Sequence, residues 1–335
     1  MTEGYFLGVD IGSTKSHALI ADANGRALGF GRGGPGNHEV VGYDGLKAVL
    51  HEITAAALAS AGIRREQIAG AGFGVSGYDW PSERADTLAA IATLGLQAPV
   101  EAVNDTLIGL LAGAEAGWGV AVVAGTGCNC WGYDRHGRVG RMTGHGEPFA
   151  ERAGAGDLVA AAVKAIAKAW SRRGPATALA DLLLRHVGAP TVEAFLEGLC
   201  QGTLHLSADA APLVFQAAEA GDAVAAELIR WAGRELGDLA LGVIRQLDLA
   251  GEDFEVVMVG SLFNGGERLI GPMRETIHAE APGARLVRLA APPVVGAVLL
   301  GMQQAGLSIT ALRPTLVATT LLLPDVTSSH ELSVR

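Results

Sequence analysis

The stretch Gly8-Val9-Asp10-Ile11-Gly12-Ser13-Thr14-Lys15 ends an apolar strand with a turn of glycine and hydroxyl residues. A second glycine-rich turn lies in Val122-Val123-Ala124-Gly125-Thr126-Gly127-Cys128-Asn129, where Thr126 stands 112 positions after Thr14. At the same offset Asp22 matches Asp134 and Gly25 matches Gly137. Each copy therefore has a strand, a turn of small residues, a second strand and an Asp-x-x-Gly hairpin in the same order, which predicts two similar halves.

Both turns have the composition of a phosphate-binding loop. Glycine lets backbone N–H groups approach an anion closely, and the Ser and Thr hydroxyls add donors without bulk. Either turn alone could be an ordinary β-hairpin of a glycine-rich protein, whereas the matched pair favours a clamp that holds phosphates from two sides. The predicted phosphate contacts are Gly12, Ser13, Thr14, Lys15, Gly125, Thr126 and Gly127.

The order of predicted elements supports a duplicated α/β unit. Strands and helices alternate in the first half, where a helix is expected after Asp44 and before Gly62. The second half restarts near Trp118, is almost wholly helical over residues 157–247, and then returns to strands. We expect two α/β domains that face each other across a cleft, residues 1–116 and 117–312, with a helical insertion in the second and a tail over residues 313–335.

Composition and charge limit the classes of function. A chain of 335 residues with 49% hydrophobic residues and a mean hydropathy of +0.30 is long and apolar enough for two cores. The net charge of −10 argues against a nucleic acid or an anionic membrane as partner. No apolar run approaches the ~20 residues of a membrane helix. The three cysteines form no disulfide framework, so we expect a cytoplasmic protein.

Two aspartates stand where apolar strands end. An unpaired carboxylate at the position of Asp10 is costly to bury, and the site makes sense if it faces Mg²⁺; a turn cap is the alternative. Asp105 follows the next such strand and opens a helix, whose N-terminus is expected to lower the carboxylate pKa. That placement suits a base that accepts a hydroxyl proton, although Asp is also a favoured N-cap without any chemistry.

These motifs together resemble the superfamily of sugar kinases, heat-shock 70 proteins and actin. Within it the chain is most similar to the N-acetylglucosamine kinases grouped with BadF/BadG-type ATPases. The glycine-rich turns resemble that family's two phosphate motifs, and Val259-Gly260-Ser261-Leu262-Phe263 resembles its adenosine motif. The resemblance implies two ribonuclease-H-like, actin-like ATPase domains, ATP and Mg²⁺ as cofactors, and nucleoside contacts at Gly260 and Ser261.

The resemblance also extends to the sugar side, with two departures. Ser76-Gly77-Tyr78-Asp79, Val103-Asn104-Asp105 and Asn37-His38 resemble the sugar motifs, with Asp105 in the place of the catalytic base. Where the family has Gly-Trp-Gly and then Gly-Asp-Glu-Gly-Ser, this chain has His145 for the Trp and Glu151 for the Asp. A solvent-facing loop histidine is the alternative for His145. The implied sugar contacts are Asn37, His38, Ser76, Gly77, Asp79, Asn104, Asp105, Asn129, His145 and Glu151.

The function that follows is an ATP-dependent kinase for a hydroxyl of an amino sugar, N-acetylglucosamine or glucosamine at the 6-position. A sugar-independent ATPase that acts as a nucleotide switch or activator is the alternative, and a sugar-sensing regulator is a third. We expect a small-molecule sugar as partner, neither nucleic acid nor membrane, and leave open a homodimer.

Overall fold

The computed structural model describes residues 4–324 and residue 326, and within them two five-stranded sheets share one topology. The first has the order β3-β2-β1-β4-β5, and the second has β8-β7-β6-β9-β10. In each sheet the first strand is antiparallel to the second and parallel to the fourth. The predicted repeat is therefore confirmed. The strands are β1 (Tyr5–Ile11), β2 (Ser16–Asp22), β3 (Ala27–Gly33), β4 (Ile68–Val75), β5 (Val100–Asn104), β6 (Gly119–Ala124), β7 (Cys128–Tyr133), β8 (Val139–Arg141), β9 (Phe254–Val259) and β10 (Ala284–Arg288).

The two Asp-x-x-Gly hairpins have the same hydrogen bonds. Oδ1 of Asp22 accepts from two backbone N–H groups of its turn at 2.9 Å, and Oδ1 of Asp134 accepts from the two equivalent groups at 2.8 Å. Gly25 and Gly137 then adopt φ values of 77° and 80°, a left-handed conformation that glycine accommodates without strain. The side-chain match in the sequence thus reflects matched turn geometry.

The helices of the first copy are α1 (His38–Ala61), α2 (Arg84–Ala92) and α3 (Asp105–Gly113). The start predicted at Asp44 is wrong. Asn37 caps α1 instead, since its side chain accepts from the N–H of Glu39 at 2.8 Å, and Gly42 interrupts the first turns with a φ of 68°. The predicted stop is confirmed, because Gly62 closes the helix in a left-handed conformation.

A helical insertion lies between β8 and β9, where the first copy has only α1. Its apolar faces and the buried side of the second sheet form one core, to which Phe195, Ile229 and Leu236 contribute fully buried side chains. None of the helices in the described part of the chain is long and apolar enough to cross a membrane. The helices of the second copy are α4 (Ala155–Trp170), α5 (Leu179–Val187), α6 (Val192–Gln201), α7 (Ala211–Glu219), α8 (Ala223–Gln246) and α9 (Glu267–His278).

The last two helices return to the first sheet. α10 (Val294–Gln304) approaches β4 so closely that a Cβ on Gly72 would lie 2.2 Å from the carbonyl oxygen of Ala297. α11 (Arg313–Thr320) packs Leu316 into the apolar cluster that contains the α10 side chains, and its Thr320 is also buried. The predicted tail therefore needs correction: residues 313–320 form a packed helix, while residues 325 and 327–335 lie outside the described residues. The first lobe is hereafter the first sheet with α1–α3, α10 and α11, and the second lobe is the second sheet with α4–α9.

Candidate active site

A cavity of about 600 Å³ brings the two glycine-rich turns together between the lobes. Its walls combine residues from both turns with the aspartates that end β1 and open α3. Hydroxyl and amide donors from two directions therefore face one space, as a phosphate clamp requires. The predicted residues that line it are Asp10, Gly12, Ser13, Thr14, Lys15, Asp105, Gly125, Thr126, Gly260 and Ser261.

The second glycine-rich turn, including Gly127, packs against the first residues of α4. The N–H groups of Ala155 and Gly156 donate to the carbonyl oxygens of Gly125 and Thr126 at 2.9 and 3.0 Å. A Cβ on Gly154 would lie 2.5 Å from Cα of Gly127, so the helix start needs a glycine at this approach. The turn is thus held in position by backbone hydrogen bonds to the first residues of α4.

The segment predicted to hold the nucleoside passes close to the second turn. Gly260 has a φ of 112°, and a Cβ there would lie 2.3 Å from the carbonyl oxygen of Ala124. Both facts require glycine at this position. Arg288 and Asn264, which sequence reasoning missed, also line the cavity, and Nη1 of Arg288 donates to the Gly260 carbonyl at 2.8 Å.

A polar cluster from three separate segments adjoins the first turn. Nδ2 of Asn37 donates to Oγ of Ser13 at 3.1 Å, and the Ser13 and Ser76 hydroxyl oxygens lie 3.2 Å apart. Gly77, with a φ of 81°, leaves room for Asn37, because a Cβ there would lie 2.4 Å from Oδ1 of Asn37. The predicted sugar residues Asn37, Ser76 and Gly77 therefore meet beside the predicted phosphate residue Ser13.

Asp105 lies at the junction of the polar cluster and the cavity. It lines the cavity, and the Ser76 hydroxyl and the Thr106 backbone N–H beside its carboxylate favour the ionised form. Burial, followed by the negative charges of Asp10 and Asp79, raises the pKa of Asp105 to about 7. The expectation of a lowered pKa at the helix N-terminus is wrong, because desolvation and like charge outweigh the effect of these two donors. A carboxyl group with this pKa can exchange a proton near neutrality.

Asp79 links the two lobes through asparagine side chains. Its Oδ1 accepts from Nδ2 of Asn104 at 2.9 Å and from Nδ2 of Asn129, on β7, at 3.4 Å. Asp79 is only 5% exposed, and burial raises its pKa to about 6. Thus three of the predicted sugar residues form one network across the lobes.

His145 is packed in a wall and does not face solvent freely. Its Nε2 accepts from Nε1 of Trp80 at 2.7 Å, and the two rings stack with centroids 5.8 Å apart. The ring of Phe149 also lies against the imidazole, tilted by 48° with the centroids 5.9 Å apart. Trp80 was missed by sequence reasoning, although it directly follows the Ser76–Asp79 motif. The family has a tryptophan where this chain has His145. Here Trp80 of the first lobe places an indole against that histidine.

Glu151 does not offer a free carboxylate. The side chain is 3% exposed and accepts from the N–H and hydroxyl of Thr143 at 2.6 and 3.0 Å and from the N–H of His145 at 3.2 Å. All these donors belong to the loop of residues 143–145. In the structure Glu151 therefore holds that loop, whereas a direct sugar contact stays a prediction.

His38 lies away from the polar cluster. Its ring stacks on Tyr43 with centroids 4.6 Å apart, and its Nε2 is 3.8 Å from a carboxylate oxygen of Glu83. The His38 ring is thus engaged by Tyr43 and Glu83, and its role as a sugar contact also stays a prediction.

A larger cavity, about 780 Å³, lies behind the Asp79–Trp80 segment. Trp118, Trp131 and Tyr133 line it together with Arg141, whose guanidinium stacks between the rings of Trp80 and Trp131. The residues that line it include none from either glycine-rich turn. The larger cavity is therefore not the expected phosphate site, because only the 600 Å³ cavity is lined by both glycine-rich turns.

The model of the BadF/BadG/BcrA/BcrD ATPase family matches residues 7–301. This match spans both glycine-rich turns, both sheets and the helical insertion. The chain belongs to this family. Membership agrees with the resemblance carried by the motifs and with the duplicated topology.

Relatives with named activities are sugar kinases. The N-acetylmuramic acid/N-acetylglucosamine kinase of Clostridium acetobutylicum is 25% identical over 90% of this chain and 99% of that protein. The N-acetyl-D-glucosamine kinase of Dictyostelium discoideum is also 25% identical, with coverage of 90% and 99%.

Solved structures confirm the two-lobed fold. A Chromobacterium violaceum protein assigned as an N-acetylglucosamine kinase has a TM-score of 0.67 at 23% identity, over 90% of this chain and 99% of that one. A ROK family glucokinase of Streptomyces griseus, solved with glucose and AMPPNP, has a TM-score of 0.56 at 23% identity, with coverage of 90% and 100%.

Proposed function

We propose that this protein is an ATP-dependent kinase that phosphorylates a hydroxyl of an amino sugar, N-acetylglucosamine or glucosamine at the 6-position. The observation that carries the proposal is the position of Asp105. Its carboxylate lines the cavity formed by both glycine-rich turns and lies beside the Ser76 hydroxyl of the polar cluster. A hydroxyl bound at that cluster would lie between the base and the phosphate clamp. The names of the kinase relatives support this substrate class.

In the proposed reaction the sugar hydroxyl oxygen attacks the γ-phosphorus of ATP. A new O–P bond forms, the bond from that phosphorus to the β,γ-bridging oxygen breaks, and ADP leaves. The hydroxyl proton passes to the carboxylate of Asp105. The protein mainly positions the reactants and stabilises charge, so donors of the two turns would hold the phosphates throughout.

Asp10 is the proposed protein ligand for Mg²⁺. It ends β1, lines the same cavity and has no cation within ion-pair distance among the described residues except the ring of His17, 3.8 Å away. An acceptor-only oxygen at a phosphate site matches the ligands that Mg²⁺ prefers. When bound, Mg²⁺ supplies positive charge that neutralises the phosphate oxygens.

A sugar-independent ATPase is the second candidate. It is favoured by Glu151, whose carboxylate is occupied by its own loop and offers little to a sugar. A coupled assay of ADP release over a panel of sugars separates the two. Stimulation by an amino sugar supports the kinase, whereas equal turnover with and without sugar supports the ATPase.

A further inference from the structure

One buried imidazole beside the proposed metal site lacks hydrogen-bond partners. His17 on β2 lies directly opposite Asp10 on β1, and cross-strand pairs place their side chains on one face. The residue is 7% exposed and its ring stacks on Phe30 with centroids 5.3 Å apart. Neither ring nitrogen has a hydrogen-bond partner in the described part of the chain. A buried polar group in this state costs free energy and calls for an explanation.

The position of His17 points to a ligand. It lines the 600 Å³ cavity together with Asp10, and its Nδ1 is 3.8 Å from Oδ2 of Asp10. Two such atoms can share one ion, because ligand distances of about 2.1 Å allow a separation of up to about 4.2 Å. A neutral imidazole offers one lone pair for this purpose.

We propose that His17 is a second protein ligand, with Asp10, of the divalent cation at the phosphate clamp. The nitrogen ligand shifts the preference of the site away from Mg²⁺, which favours oxygen, toward first-row transition ions. Mn²⁺ is the weakest binder of that series and serves here as the paramagnetic probe. This inference rests on the proposed function, since that function places a cation at Asp10.

Electron spin-echo spectroscopy of bound Mn²⁺ tests the ligand directly. The probe is Mn²⁺ with inorganic tripolyphosphate, which avoids the nitrogens of adenine. The full-length enzyme is prepared once unlabelled and once with ¹⁵N-histidine. We expect histidine-nitrogen modulation that changes with the label, is lost in His17→Gln and is retained in His136→Gln, a change at an exposed hairpin histidine. The labelled wild-type comparison needs no variant and so remains decisive if His17→Gln folds poorly.

Metal affinities give a second readout. His17→Gln should weaken Mn²⁺ binding by at least about tenfold, while Mg²⁺ binding should change by less than about threefold. Mn²⁺ that binds in an Asp10-dependent manner without a label-sensitive signal would overturn the role of His17 and leave the metal site and the kinase proposal intact. Failure of Mn²⁺ to bind with tripolyphosphate would overturn both the ligand and the proposed cation site.

Discussion

Nε1 of Trp80, in the first lobe, donates a 2.7 Å hydrogen bond to Nε2 of His145, in the second lobe. The same tryptophan stacks on Arg141, which donates to the carbonyl oxygen of Asp79. The segment that carries Asp79 is therefore held by second-lobe groups on two sides. This arrangement couples the sugar side of the cleft to the relative position of the lobes.

Trp80→Phe should weaken sugar binding without affecting the nucleotide. Phenylalanine keeps a ring against His145 but has no N–H to donate, and the loss of one hydrogen bond of about 1 kcal/mol corresponds to about a fivefold rise in the sugar KM. Steady-state kinetics with each substrate varied in turn would measure it. Trp170→Phe, at a residue that is 55% exposed and remote from the cleft, is the control. An unchanged sugar KM in Trp80→Phe would show that the contact has no part in binding.

Glu151→Gln should loosen the loop of residues 143–145. The Thr143 N–H donates to Oε1 of Glu151 and the His145 N–H donates to Oε2. Glutamine keeps only one acceptor oxygen, so one of these two bonds is lost and backbone hydrogen exchange in this loop should accelerate. The sugar KM should rise by about tenfold as the wall around His145 becomes mobile. Glu147→Gln, at an exposed glutamate two positions after this loop, is the matched control. A raised KM with unchanged exchange would instead indicate direct contact between Glu151 and the sugar.

The raised pKa of Asp105, about 7, predicts opposite pH effects on activity and on stability. Activity requires the unprotonated base, so kcat/KM for the sugar should fall about tenfold per pH unit below that value. The contribution of Asp105 to the free energy of unfolding changes in the opposite sense, because it decreases as the pH rises. Because the folded-state pKa lies above the ordinary value, the stabilising contribution of Asp105 is present below pH 4 and is lost as the pH rises through about 7.

Asp105→Asn consequently should raise the melting temperature more at pH 8 than at pH 5. At pH 8 the variant removes a buried negative charge that faces Asp10 and Asp79. The increase in the free energy of unfolding at pH 8 should be on the order of 1–3 kcal/mol. Thermal unfolding of the wild type and the variant at pH 5 and pH 8 measures this effect. The same difference in melting temperature at both pH values would contradict the raised pKa.

Much of the fold could be predicted because it follows from local patterns. The alternation of strands and helices predicted a duplicated α/β unit, and side-chain matches 112 positions apart predicted the topology that the two sheets share. The start of α1 was missed because the cap at Asn37 precedes a break at Gly42, which hides the first turn from a periodicity argument.

The site was predictable where the chain supplies it in contiguous motifs. The contact between Trp80 and His145 joins residues 65 positions apart on different lobes, and no local pattern indicates it. The pKa of Asp105 depends on how close Asp10 and Asp79 come in three dimensions, so the helix position alone predicted the wrong direction. That both ring nitrogens of His17 are buried without a hydrogen-bond partner depends likewise on three-dimensional packing, which the sequence does not show.

Closure of the lobes should accompany binding of both substrates. Water left in the cleft would compete for the phosphoryl group, so catalysis favours its exclusion. We predict hinges near residues 113–117 and at α10. α10 packs closely against α3 at Gly296, where a Cβ would collide with the backbone of Ile108. Solution scattering should give a smaller radius of gyration when an amino sugar and a non-hydrolysable ATP analogue are both present. An unchanged radius would count against closure.

The central claim is tested most directly by ADP release from the wild-type enzyme and Asp105→Asn, each assayed with ATP, Mg²⁺ and a panel of sugars. We predict that N-acetylglucosamine or glucosamine stimulates the wild type. In Asp105→Asn the stimulated rate should fall by about two to four orders of magnitude, while ATP still binds. Wild-type turnover that is the same without sugar, or near-normal sugar-dependent turnover in Asp105→Asn, would contradict the assignment.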